Sequence, residues 1–172
     1  MCSCGNNNID NKTIAVDPLY SPMEGTILNT KMMTDQEKFF EIKIGDGSKF
    51  PYLPGQFVQL SIFGIGEAPI SISSTPTKED KGTLEICVRK VGMFTEALHK
   101  LDVGDKVGVR GPFGRPFPID ELKGNDLIFV AGGLGIVPLR SLINFVIDKR
   151  RDFGDISVLL GCKQPDDRLF TD

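Results

Sequence analysis

The chain has 172 residues, 40% of them hydrophobic and 25% charged, with a formal net charge of −3. At roughly 100–200 residues per domain this allows one large domain or two small ones; the balance excludes low-complexity and fibrous classes, and no run approaches the roughly 18 apolar residues of a spanning helix. A mildly acidic chain has no basic field to draw nucleic acid, so a phosphate-bearing ligand must be held by backbone amides and local dipoles.

Residues 1–20 are polar, Asn-rich and aperiodic, which predicts a flexible leader. "MCSCGNNNIDNKT" has neither the basic region nor the apolar core of a signal peptide. Four cysteines are too few for a disulfide framework in a chain of this length, so reduced thiols and a cytoplasmic location are expected. Cys2 and Cys4 offer two of the four ligands that a structural zinc or cluster needs, and are read as an exposed pair with no metal.

From near Met23 to about Phe117 the pattern is strands broken by turns. Alternation is clearest in "EKFFEIKI", where Phe40, Ile42 and Ile44 share one face. Val58, Leu60 and Ile62 do the same in "GQFVQLSIF", and Leu84, Ile86 and Val88 in "GTLEICVRK". "DKVGVRG" is a further short strand, and "GDGS", "LPGQ", "STPT", "DKG" and "GPFGRPFP" punctuate the runs. The spacing predicts an antiparallel barrel or sandwich. Only "MFTEALHKL" is helical in this half, with Thr95 as its cap.

The character changes at "LKGND", residues 122–126. "DLIFVA" is apolar without alternation, which predicts a parallel strand covered on both faces. "PLRSLINFVIDKRR" places Leu139, Leu142, Ile143, Val146 and Ile147 on one helical stripe, and "DISVLLG" is a second apolar strand. The fold class is therefore β plus α/β, with a leader over 1–20, an antiparallel barrel or sandwich over 21–122 and a parallel α/β unit over 123–172; the resemblance below implies the barrel and the N-terminal part of a longer lobe.

Between strand and helix lies "AGGLGIVP". Gly132, Gly133 and Gly135 fall at the carboxyl end of a parallel strand and the amino end of a helix, where open α/β sheets bind ligands. Bare backbone there lets a ligand reach free amides, and Pro138 fits a first helical turn. By pattern alone, a tight turn and a phosphate cradle are both consistent with these glycines.

Five segments in order, "PGQFVQL", "EAPISISS", "VRKVGMFTEAL", "VAGGLGIVPLRS" and "LLGCKQPDDRLF", resemble the ferredoxin–NADP reductase family from about Met23 onward. Within it the chain is most similar to the flavin (gamma) subunits of cytoplasmic hydrogenases and sulfhydrogenases and to the corresponding flavin subunit of anaerobic sulfite reductase. The resemblance implies an antiparallel Greek-key barrel that binds FAD, followed by an α/β lobe that binds NAD or NADP. It implies an electron-transfer subunit that takes NAD(P)H and serves iron–sulfur, hydrogenase or sulfite reductase-type partner subunits. The alternative is a flavin-free binding or assembly module of such a complex.

The family's R-x-Y-S flavin motif falls on Ala68, Pro69, Ile70 and Ser71, so the arginine and the aromatic ring are missing. Backbone groups of Pro69, Ile70, Ser71 and Ile72 would then hold the flavin, with the Ser71 hydroxyl. Val88, Arg89, Gly92, Met93, Phe94 and Thr95 would hold the rest of FAD. Gly132, Gly133, Gly135, Ile136 and Pro138 are assigned to the nicotinamide dinucleotide, and Gly161, Cys162 and Lys163 to its ribose and phosphate. Asp166 and Asp167 read as a cap on a short helix ending near Phe170. His99, the single histidine, reads as a surface residue, and no catalytic residue is assigned. Resembled full-length subunits continue to a cysteine cluster for a [2Fe–2S] centre that is absent here, so the chain is expected to be truncated or completed by another polypeptide.

Overall fold

Alternation in the first half of the chain builds one six-stranded sheet whose two edges meet only beyond Ser71, so the choice between barrel and sandwich resolves to a barrel. The computed structural model describes residues 20–47, 49–77 and 82–170. Apart from Tyr20, the expected leader and its Cys2–Cys4 pair lie outside the described residues. Six strands, β1 (Met23–Met32), β2 (Glu37–Ile44), β3 (Phe57–Ile62), β4 (Gly66–Ser71), β5 (Thr83–Arg89) and β6 (Lys106–Phe113), pair in the order β4-β3-β6-β1-β2-β5. All the pairings are antiparallel, and β6 returns to lie beside β3, a Greek key. Past the end of β4 the chain turns onto β5, where the Ser73 amide donates to the Glu85 carbonyl at 2.8 Å and closes the barrel.

Inward-facing residues fill the barrel as the alternation requires. Phe40, Ile42, Val58, Leu60, Leu84 and Ile86 are all fully buried in one cluster. Helix α1 (Met93–His99) sits against this core through Leu98. Thr95 is not its cap: the helix starts two residues earlier, and the Thr95 hydroxyl reaches back to accept from the amides of Val91 and Gly92 at 2.9 and 3.0 Å. His99 is half-buried rather than superficial, its Nε2 donating to the Val88 carbonyl at 2.8 Å.

At the other end of α1, buried Lys38 acts as the cap. Its ammonium donates to the carbonyls of His99 at 3.1 Å and Leu101 at 2.7 Å, and lies 5.2 Å from the centre of the Phe40 ring. The charge meets the negative end of the helix dipole and two otherwise orphaned acceptors.

The second part comprises α2 (Ile119–Leu122), β7 (Leu127–Gly132), α3 (Ile136–Asp148) and β8 (Ile156–Gly161), with β7 and β8 paired in parallel. The continuous apolar run of β7 is covered on one face only: Leu127, Phe129 and Ala131 turn inward, whereas Ile128 is 71% and Val130 68% exposed. The second core, with α3 at its centre, packs on one face of this two-stranded sheet, and the opposite face, with Ile128, Val130, Val158 and Leu159, stays open among the described residues. The helical stripe shifts as well. Leu142, Ile143 and Val146 are buried, but Ile147 is 54% exposed and Ser141 takes a buried place against the barrel. Asp166 and Asp167 lie in a single 3₁₀ turn, Pro165–Asp167, in which Asp167 accepts from the Gln164 amide at 3.2 Å. No helix among the described residues is long and apolar enough to cross a membrane.

Replacing Lys38 by Met leaves the last carbonyls of α1 without a charged partner. Urea unfolding should show a loss of about 1–3 kcal/mol at unchanged m-value, the size expected for hydrogen bonds to a charged donor.

Candidate functional site

The ends of β7 and β8, the start of α3 and the β1–β2 hairpin enclose a crevice of about 920 Å³ between barrel and lobe. It gathers Gly132, Gly133, Gly135, Gly161, Cys162 and Lys163 from the lobe. Arg89, expected beside the FAD diphosphate, also opens into it. Ile136 is placed elsewhere: its side chain is buried in the second core and its amide is taken by the Gly133 carbonyl. Pro138 lies within the first turn of α3, away from the crevice lining.

The glycines are not equivalent. Gly133 has φ +49°, which L side chains rarely adopt, so backbone conformation alone accounts for it. Gly132 (φ −113°, ψ 121°) and Gly135 (φ −59°, ψ −17°) have ordinary backbone angles. Among the described residues a β-carbon built on either would meet nothing within 4 Å, so neither a turn nor packing by them requires glycine at these two positions. What their bareness preserves is open space over backbone at the amino end of α3, where amides and helix dipole favour an anion.

The barrel side of the crevice comes from Thr34, Asp35, Gln36 and Glu37, which the sequence reading did not single out. No role is assigned there to "TDQE", although its Thr-x-x-Glu spacing is a signal that could have drawn notice. The Thr34 hydroxyl accepts from the amides of Gln36 and Glu37, each at 3.1 Å, and donates to the Glu37 carboxylate. Glu37, 3% exposed, forms an ion pair with Arg89, its neighbour across the β2–β5 ladder.

The other expected residues lie along β4 and α1. Pairing of Val58 with Ile70, and the bond from the Ile72 amide to the Gln56 carbonyl, direct the main-chain groups of Ile70 and Ile72 toward β3. Those of Pro69 and Ser71 therefore point to the free edge of β4. Ile72 is buried in the barrel and Val88 likewise, so neither side chain reaches a ligand. Gly92 and the exposed Met93 begin α1, and Phe94 packs partly against the core. A planar heterocycle with an edge that both donates and accepts fits the free β4 edge, with Ser71 supplying an amide, a carbonyl and a hydroxyl.

Between the two parts sits Cys87. Burial, reinforced by the Glu37 carboxylate and opposed by Arg140 and Arg89, pushes its thiol from the ordinary 9.0 up to about 12. Among the described residues no group of three or more His, Cys, Asp and Glu is arranged to hold a metal.

A barrel with a free strand edge, joined to a strand–glycine–helix crevice, is the frame of a flavin-dependent oxidoreductase. The chain belongs to the oxidoreductase FAD-binding domain family, whose pattern matches residues 25–117. It is 40% identical over 156 residues to sulfhydrogenase 2 subunit gamma of Pyrococcus furiosus, covering 89% of this chain and 53% of that protein. It is 34% identical over 152 residues to a probable dihydroorotate dehydrogenase B (NAD(+)) electron transfer subunit of Methanocella arvoryzae, covering 88% and 52%. The chain thus spans about half the length of these relatives. In fold it is similar to the flavohem-like FAD/NAD binding domain of nitric oxide dioxygenase from Vibrio cholerae, with a TM-score of 0.77 at 16% identity over 88% of this chain and 67% of that one.

Two outcomes are expected. Gly132→Ala and Gly135→Ala should leave unfolding stability within about 1 kcal/mol while weakening dinucleotide binding, whereas Gly133→Ala should cost about 1–2 kcal/mol of stability; urea melts and fluorescence titration separate the two. Because the folded Cys87 thiol holds its proton more tightly than the unfolded one, stability should be unaffected by it below pH 9.0 and fall between there and about pH 12. Cys87→Ala should flatten that alkaline decline in unfolding measured against pH.

Proposed function

We propose that the chain is the flavin-bearing portion of an electron-transfer subunit, passing electrons between NAD(P)H and an iron–sulfur partner by way of FAD. The observation that carries this is the pair Gly132 and Gly135, whose lack of side chain neither turn geometry nor packing among the described residues explains. FAD, when bound, exchanges electrons in pairs with a nicotinamide and singly with an iron–sulfur centre.

The protein's own residues bind and orient. The free edge of β4 would hold the ring system through the amide, carbonyl and hydroxyl of Ser71, and Pro69 would lie flat beside it. Ala68 and Ile70 supply neither an ion pair nor an aromatic face, so main-chain contacts take the larger share. Gly92 and Met93 would receive the remainder of FAD, with Gly132, Gly133, Gly135, Gly161, Cys162 and Lys163 holding the dinucleotide across the crevice. A lysine at position 163 offers a point charge without the bidentate fork of arginine. No side chain is assigned to proton transfer.

The relatives, named as subunits of a sulfhydrogenase and a dihydroorotate dehydrogenase, support a place within a multi-subunit complex, and four cysteines, too few for a disulfide framework, suit a cytoplasmic setting. The test is an anaerobic absorbance spectrum followed by titration with NADH and then NADPH. A visible flavin band that bleaches with a nicotinamide is the expected result. A flavin that persists unreduced, or protein that takes up no FAD, overturns the proposal.

A further inference from the structure

We infer that Arg89 is an anion-binding residue of the dinucleotide crevice and that Glu37, which contacts no ligand, is the residue that positions it. This rests on the crevice being the dinucleotide site proposed above and adds to it a cation from the barrel. Arg89 ends β5 and its side chain is 41% exposed, while that of Glu37 is 5% exposed. Their ion pair runs through Nε, leaving both terminal nitrogens without a hydrogen-bond partner among the described residues. Nη2 stands beside the glycine loop, 3.9 Å from where a β-carbon on Gly133 would sit.

A long exposed arginine ordinarily loses considerable rotamer freedom when it binds. Here three constraints hold it beforehand. Glu37 is fixed opposite Arg89 in the β2–β5 ladder, its second carboxylate oxygen is engaged by Thr34, and Thr34 is itself fixed by the hairpin amides. The pair is neutral overall but strongly polar, with its negative end buried and its donors facing the cavity. Two parallel N–H groups in one plane match the oxygens of a phosphate ester. Of the other charged groups lining the crevice, Asp35, Asp166 and Asp167 repel an anion and Lys163 attracts one. The barrel wall therefore contributes one donor fork to a ligand whose other contacts come from the lobe.

The experiment compares intact wild-type protein with Arg89→Met, Arg89→Lys and Glu37→Gln, measuring bound FAD, NADH affinity and steady-state reduction of ferricyanide. Arg89→Met should retain its FAD and raise KM for NADH about tenfold with little change in kcat. Arg89→Lys, which keeps the charge but loses the fork, should recover less than half of that loss. Glu37→Gln should raise KM several-fold at unchanged kcat and FAD content, a split that general destabilisation would not produce. Loss of FAD from Arg89→Met would assign the arginine to the barrel cofactor and overturn the inference. Unchanged KM in all three variants, with wild type binding NADH normally, would overturn it while leaving the proposed function standing. Failure of the wild type to bind NADH would overturn both.

Discussion

Arg140 reaches from α3 into the seam with the barrel, where Glu85 takes its guanidinium and the carbonyl and hydroxyl of Ser73 accept from the same Nη1. One residue on, the Ser141 hydroxyl donates to the Ser74 carbonyl. Ser74 is also held by Tyr52, whose hydroxyl donates to it at 2.7 Å. These contacts sit where the barrel closes, so the segment that completes one part of the fold is the segment on which the other is mounted. Since α3 carries the glycine loop at its amino end, the distance between loop and barrel is set here. Removing one partner from such a seam leaves polar groups without water or protein to satisfy them, which is what makes it stiff.

The same seam explains the company of Cys87, Glu37 and Arg89. Cys87 belongs by sequence to a barrel strand but by packing to the α3 core, because β5 is the strand on which α3 rests. Glu37 is buried beside it and adds to the rise of its thiol, while Arg89 opens into the crevice. A charged pair that would contribute little at an open surface gains definite geometry when one partner is buried and held by the hairpin.

How much of this is legible in the chain depends on whether the signal is local. Phe40, Ile42 and Ile44 announce their shared face, because strand alternation and burial on one side are the same fact. The continuous run of β7 misleads, since apolarity at Ile128 and Val130 says nothing about whether anything covers them. Ile147 fails likewise: it lies near the stripe, but the rotation of α3 is fixed by Arg140 and Ser141 against the barrel. The glycine loop is visible as composition, yet only backbone angles separate Gly133, needed for conformation, from Gly132 and Gly135. The Thr34–Glu37 wall is the least visible, because its meaning arises from a partner 52 residues away.

The two described cysteines differ in a way that reaches past stability. Cys87 is sealed within the seam, whereas Cys162 is exposed at the crevice itself, one residue beyond β8. An electrophile at neutral pH meets a thiol in water at one position and a buried, proton-bound one at the other. Once the cysteines at positions 2 and 4 are replaced, a fluorophore or spin label will therefore settle at a single place, on the wall of the crevice. The fold thus provides its own attachment point for an optical or magnetic gauge of when the crevice fills.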